Sequence, residues 1–193
     1  MLTRKQLRFL DSISPEDLRK YLKQTDRMKT AGWFDDSVDY LKRNYDYAKY
    51  LGKHKFYVAK AGLQLDIPPM TLAVHDWAKF TPTEFPVYRD WFYSNKGMKG
   101  DRSLFKPFRE AVQHHYDKAS FGHHYYKSGT PSELVPYEYK LETLADWYSV
   151  MASNWQGPGS VPTFKEWYKQ NRDRLPLDPL VRSIADQKLI YGL

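Results

Sequence analysis

All six histidines of this 193-residue chain fall between residues 54 and 124, leaving both ends without one. They come as His54, the doublet His75-Asp76 followed by Lys79, His114-His115 and His123-His124; Asp146 follows in Leu144-Ala-Asp-Trp147. Histidine offers a neutral ring nitrogen and aspartate an anionic oxygen, the donors that hard and borderline divalent cations take. A scatter along the whole chain would not crowd this way, so the middle third is where chemistry is expected.

The His-Asp doublet is the sharpest signal. Adjacent residues of a helix point about 100° apart, so both reach one ion only where it sits close to the backbone, at a helix end or bend. Pro68-Pro69 and Thr81-Pro82 bound a short helical stretch of about ten residues that holds the doublet. A carboxylate set between two metals can bridge them while the flanking histidine binds one. A bare His-Asp dipeptide would form a local hydrogen-bonded pair. With His54 before it and Asp146 after it, the metal reading takes precedence.

These positions resemble the HD-domain superfamily of metal-dependent phosphohydrolases, which reads His … His-Asp … Asp with each element on a separate helix of an all-α bundle. The matching residues are His54, His75-Asp76 and Asp146. The two-metal branch adds histidines between the doublet and the last aspartate, which His115 and either His123 or His124 supply. The spacing His75-Asp-Trp-Ala-Lys79 is similar to the HDxxK form of the HD-GYP phosphodiesterases and of the diiron oxygenases related to myo-inositol oxygenase. The stretches His75 to Phe85 and Glu142 to Trp147 are similar to an uncharacterised family of small phage and bacterial proteins. The resemblance covers roughly residues 50–150 and implies a metal site, with a reaction less sharply marked. Two departures stand out: single-metal HD nucleotidases carry an acid where Lys79 stands, and the glutamate found in some HD-GYP proteins four residues before the first histidine is Tyr50 here.

The surroundings sort the remaining candidates. On one continuous helix His115 and His123 would lie about 12 Å apart in rise, too far for two ions about 3.5–4 Å apart, and Gly122 offers the bend that closes the gap. Of the adjacent pair His114-His115 only one can face the site. His115 is preferred because it shares a face with Ala111, four residues earlier, leaving His114 at the surface or behind a ligand. His124 is kept as an alternative to His123. Glu142 lies four residues before Asp146 on the same helical face; it either orients a ligating histidine or pairs with a neighbour such as Lys140. Trp77 and Trp147, each next to a ligating aspartate, are expected to wall the site.

The elements that must position these groups are read as helices nearly throughout. Ser14-Pro15 starts one to about Met28, and Asp35 or Asp36 opens a longer one that sets Val38, Leu41, Tyr45, Ala48 and then Leu51 on one face and carries His54 near its end. Thr81-Pro-Thr-Glu84 reads as a capping box for a helix to about Tyr93. Further helices run from Leu104 to about Lys118, from Tyr137 to about Asn154, from the box Thr163-Phe-Lys-Glu166 and from Asp178-Pro179, with a Gly/Lys loop at 94–100 and a turn-rich hinge at 156–160. The fold class is therefore all-α. One HD-type helical domain over 1–193 is expected, its metal core at about 50–150 and its C-terminal helices, 160–193, packed on that core.

Composition bounds the rest. With 41% hydrophobic and 17% aromatic residues the chain is not disordered, and no run approaches the roughly 18 apolar residues of a membrane span. The absence of cysteine excludes disulfides, thiolate zinc sites and Fe–S clusters and fits a cytoplasmic setting. Residues 1–60 hold 14 Lys/Arg against 8 Asp/Glu, most of the net +7. This basic third would steer phosphate-bearing ligands or bind nucleic acid weakly, unless it is simply a solvated face.

The expected activity is phosphoester hydrolysis, on a nucleotide or related phosphate compound, at a dinuclear site with ligands His54, His75, Asp76, His115, His123 and Asp146. Asp76 would bridge two ions and Lys79 would hold a phosphate oxygen. An all-N/O shell rich in imidazole suits Mn²⁺, Fe²⁺, Co²⁺ or Ni²⁺ better than Mg²⁺ or Zn²⁺. The same ligands would serve a mixed-valent diiron oxygenase acting on a small polar substrate. A third possibility is a nucleic-acid-binding or host-interaction protein with a structural metal.

Overall fold

The computed structural model describes residues 32–94, 101–118, 123–124 and 131–192. The helix expected at 14–28, the basic stretch before residue 32, most of the 94–100 loop and Gly122 lie outside the described residues. Among the described residues all regular structure is helical, as the periodicity required. The chain divides into two compact units, Met1–Lys42 and Arg43–Leu193. Every residue discussed below as part of the site belongs to the second.

Helix α1 (Gly32–Gly62) leads into a short 3₁₀ turn and then α2 (Pro69–Val74). A 3₁₀ turn, Trp77–Phe80, separates α2 from α3 (Phe85–Tyr93). Then come α4 (Arg102–Lys118), α5 (Tyr137–Ser153), α6 (Phe164–Asn171) and α7 (Pro179–Asp186), which closes in a π-helical turn, Gln187–Tyr191.

The buried stripe of α1 differs from the expected one. Tyr47, Leu51, His54, Val58 and Ala61 are buried, whereas Tyr45 and Ala48 are exposed. The spacing i, i+4, i+7, i+11, i+14 is a regular helical face, but it mixes tyrosine and histidine with aliphatic residues, so apolar periodicity pointed to the wrong side. His54 also sits well inside α1 rather than near its end.

Two apolar clusters flank the site. One joins Tyr47 and Leu51 of α1 to Tyr88 of α3 and Ala111 of α4. The other joins Val58 and Ala61 to Leu72 of α2, to Leu141, Leu144, Ala145 and Tyr148 of α5, to Phe164 and Tyr168 of α6, and to Val181 and Ala185 of α7. His54 lies on α1 between Leu51 of the first cluster and Val58 of the second.

Helix α5 is buried nearly all round, the mark of a central helix. Its face Leu141-Ala145-Tyr148-Ala152 packs into the larger cluster, while Glu142, Asp146 and Ser149 turn to the site. The C-terminal helices start where their caps predicted. Thr163 and Glu166 form a reciprocal capping box for α6, and the Asp178 side chain caps α7 ahead of Pro179. Lys140 reaches Asp178 at 3.2 Å, so it does not pair with Glu142.

The Thr81–Glu84 capping box does not form. Helix α3 begins at Phe85, and Glu84 makes no side-chain cap hydrogen bond. Its carboxylate is instead fully buried among histidines, where two ring N–H donors outweigh one backbone amide at a solvent-facing helix end.

Candidate metal centre

The doublet lies at the bend that adjacent ligands require. Helix α2 stops at Val74, His75 caps it, and Asp76 takes a left-handed backbone with φ 55°. For a residue other than glycine that conformation costs roughly 1–2 kcal/mol, aspartate being among the residues that tolerate it best. It turns the Asp76 carboxylate back beside the His75 ring. Lys55 of α1 holds the bend by donating to the carbonyls of Ala73, at 2.9 Å, and His75, at 2.8 Å. Gly62 lets the end of α1 approach: a Cβ there would lie 2.3 Å from Leu72 of α2.

His54, His75, Asp76 and Asp146 bring donor atoms together in one buried group. The Nε2 of His54 lies 2.9 Å from Asp76 Oδ2, 3.2 Å from Asp146 Oδ1 and 3.1 Å from His75 Nε2. Asp76, His115, His123 and His124 form a second group. There Asp76 presents its other oxygen, Oδ1, to His115 Nε2 at 3.0 Å and His123 Nε2 at 3.5 Å. His123 lies in a turn outside α4, so His115 and His123 are not spaced along one helix, and their ring centroids lie 6.2 Å apart.

The opposite nitrogens of these rings are held. His75 Nδ1 donates to Glu142 Oε1 at 2.8 Å, and His123 Nδ1 lies 3.4 Å from the same oxygen. His115 Nδ1 donates to Glu84 Oε2 at 3.0 Å, and its neighbour His114, partly exposed, to Glu84 Oε1 at 2.8 Å. Ser149 spends its one hydroxyl proton on the carbonyl of Asp146, so it accepts from His54 Nδ1 at 2.8 Å. Thr143 donates to the backbone carbonyl of His123 and ties that turn to α5. His54, His75, His115 and His123 thus turn an Nε2 lone pair inward, the arrangement that partners behind metal-binding histidines produce.

Three inward atoms are orphans. Asp76 Oδ1, His115 Nε2 and His123 Nε2 are buried and make no hydrogen bond among the described residues. A buried polar atom without a partner costs free energy that a bound cation would recover. By donor type, burial and orientation the two groups could hold metal ions.

Charges are set accordingly. Burial would raise the carboxyl pKa values of Asp76 and Asp146. The Lys79 ammonium and His75 beside Asp76, and the His54 and His75 rings beside Asp146, more than reverse this and hold both well below the usual range. Burial lowers His123, but the Asp76 and Glu142 carboxylates beside it outweigh burial and lift this pKa to about 10. His124, buried without that compensation and facing His123, is pushed down to about 2.

The structure therefore brings His54, His75, Asp76, His115, His123, His124 and Asp146 together, with Glu142 behind two of the rings and Lys79 2.5 Å from Asp76 Oδ2. His114 stands outside the donor groups. Trp77 does not wall the site as expected, being 65% exposed, and Trp147 packs on the larger apolar cluster. Sequence reading missed Glu84 and Ser149. The seven-residue spacing from Glu142 to Ser149, two turns along one face, was the available signal for the second.

These features define an all-helical protein with buried His/Asp groups able to hold a metal ion. The chain belongs to a family of unknown function, DUF5662, whose model matches residues 43–188 and so takes in every residue of the site. No curated protein and no solved structure matches it. No helix among the described residues is long and apolar enough to cross a membrane.

Proposed function

We propose that the chain is a metal-dependent phosphohydrolase of the HD type, which cleaves a phosphoester of a nucleotide or related phosphate compound at a dinuclear centre. One observation carries the reading: the two carboxylate oxygens of Asp76 face two separate sets of imidazole nitrogens. That is the disposition of a bridging ligand. Charge supports a metal reading. Asp76, Glu84, Glu142 and Asp146 are all buried, a concentration of acid groups that divalent cations would offset.

Two such cations, when bound, supply Lewis acidity toward a water and a phosphoryl oxygen. The remaining roles belong to the protein. Asp76 holds the two halves of the centre in one frame. Glu142, Glu84 and Ser149 fix the ring tautomers. Lys79 has a part-exposed side chain and touches Asp76, from where its ammonium offers a point charge to a non-bridging phosphate oxygen. The basic first third of the chain adds steering. Imidazole-rich N/O ligation favours Mn²⁺, Fe²⁺, Co²⁺ or Ni²⁺.

The test is turnover of p-nitrophenyl phosphate and bis-p-nitrophenyl phosphate by protein stripped of metal and reloaded with each ion. Metal-dependent release of nitrophenolate that disappears with Asp76→Asn supports the proposal. Iron retention with O₂ consumption and no phosphoester turnover would replace it with the diiron oxygenase reading. Metal needed for folding alone, beside salt-sensitive nucleic-acid binding, would replace it with the binding-protein reading.

A further inference from the structure

Glu84 is buried, yet nothing about its position in the fold requires a charge there. It stands at the start of α3, where the capping role its sequence context suggests is not taken up. Its two oxygens are divided between adjacent residues of α4: Oε1 takes His114 Nδ1 at 2.8 Å and Oε2 takes His115 Nδ1 at 3.0 Å. Two ring donors need two acceptor oxygens, and only a carboxylate provides them.

The two donor groups are held unequally. In the group of His54, His75, Asp76 and Asp146, both histidines are anchored from α5, by Ser149 and Glu142. In the other group His123 leans on Glu142 at 3.4 Å. Among the described residues, Glu84 makes the one hydrogen bond that fixes the His115 ring.

We infer that Glu84 is a positioning residue that governs the ion held by Asp76 Oδ1, His115, His123 and His124, and leaves the ion held by His54, His75, Asp76 Oδ2 and Asp146 unaffected. The inference rests on the two-ion reading proposed above. Glu84→Gln is nearly isosteric, but its amide keeps one acceptor oxygen and turns an NH₂ toward the second histidine. If the NH₂ faces His115 the ring loses its acceptor, and if the amide oxygen stays on it the ring loses the carboxylate charge that raises its basicity as a ligand. Loss of such a partner weakens metal affinity on the order of 10–100-fold.

The experiment is a Mn²⁺ titration of metal-stripped protein, followed by calorimetry and electron paramagnetic resonance. The parent takes up two ions and shows an exchange-coupled spectrum at saturation. Glu84→Gln binds one ion with parent affinity and the second 10–100-fold more weakly, and at two equivalents gives the six-line signal of an isolated Mn²⁺. His114→Ala, which leaves the His115 contact in place, behaves as the parent. If Glu84→Gln fails to fold, Glu84→Asp takes its place, because it draws both acceptor oxygens back by one methylene and must weaken the same ion. Equal weakening of both ions, or of neither, overturns the inference while leaving the two-ion reading intact. A parent that binds one ion or none overturns both.

Discussion

The Nε2 atoms of His54 and His75 face each other at 3.1 Å with no proton of their own to share. The His54 Nδ1–H is committed to Ser149 and the His75 Nδ1–H to Glu142, so in the neutral rings both Nε2 atoms carry lone pairs. Two lone pairs at that distance repel unless a positive charge lies among them. The carboxylates of Asp76 and Asp146, 2.9 and 3.2 Å from His54 Nε2, favour positive charge there: burial lowers the His54 pKa, but they outweigh burial and raise it. A metal ion would supply that charge in the loaded protein.

Metal loading therefore competes with protons. His54, His115 and His123 all have raised pKa values, that of His123 reaching about 10. A raised folded-state value contributes stability that is full below the unfolded value, near 6.5, and is lost as pH climbs through the folded one. The metal-free protein is expected to lose melting temperature between about pH 7 and 10, and the loaded protein to lose much less. Melting curves with and without chelator across that range check this; parallel pH profiles would contradict it.

Glu142 serves His75 in one donor group and His123 in the other. Glu142→Gln is expected to weaken both ions, each on the order of 10–100-fold. Calorimetric titration shows this as two displaced transitions, in contrast to the single one expected for Glu84→Gln.

The site's stability is borrowed from the core beside it. Leu144 is fully buried between Thr143 and Ala145, two residues before Asp146. Leu144→Ala is expected to cost about 2–5 kcal/mol in denaturant unfolding of the metal-free protein. Metal at a hundredfold excess over its Kd would restore about 2.7 kcal/mol by mass action.

A distant network gives the control. The Tyr168 hydroxyl donates to Asp186 Oδ1 at 2.9 Å, and Arg172 makes a two-pronged contact with the same carboxylate. Tyr168→Phe is expected to cost about 1 kcal/mol of folding stability with metal content unchanged. Loss of metal in that variant would mean that the C-terminal helices shape the centre directly.

Much of this was readable in the chain. Thr163-Phe-Lys-Glu166 and Asp178-Pro179 are local signals, and α6 and α7 begin where they said. The doublet's need for a bend followed from helix geometry, and the left-handed Asp76 supplies it. What was hidden depended on tertiary partners. Glu84 carries a sequence signature for capping, but its burial against two histidines 30 and 31 residues onward is invisible to local pattern. The inward face of α1 was misjudged for a related reason: Tyr47 and His54 are polar by type, and only the partners they meet make them interior.

Metal content tests the central claim most directly, measured by elemental analysis of the reconstituted parent and of Asp76→Asn. Asparagine tolerates the left-handed backbone, and its single carbonyl oxygen can serve one donor group but cannot bridge two. The account predicts two equivalents of Mn, Fe, Co or Ni per chain in the parent and at most one in the variant. A parent without metal after reconstitution, or a variant that still holds two ions, would contradict it.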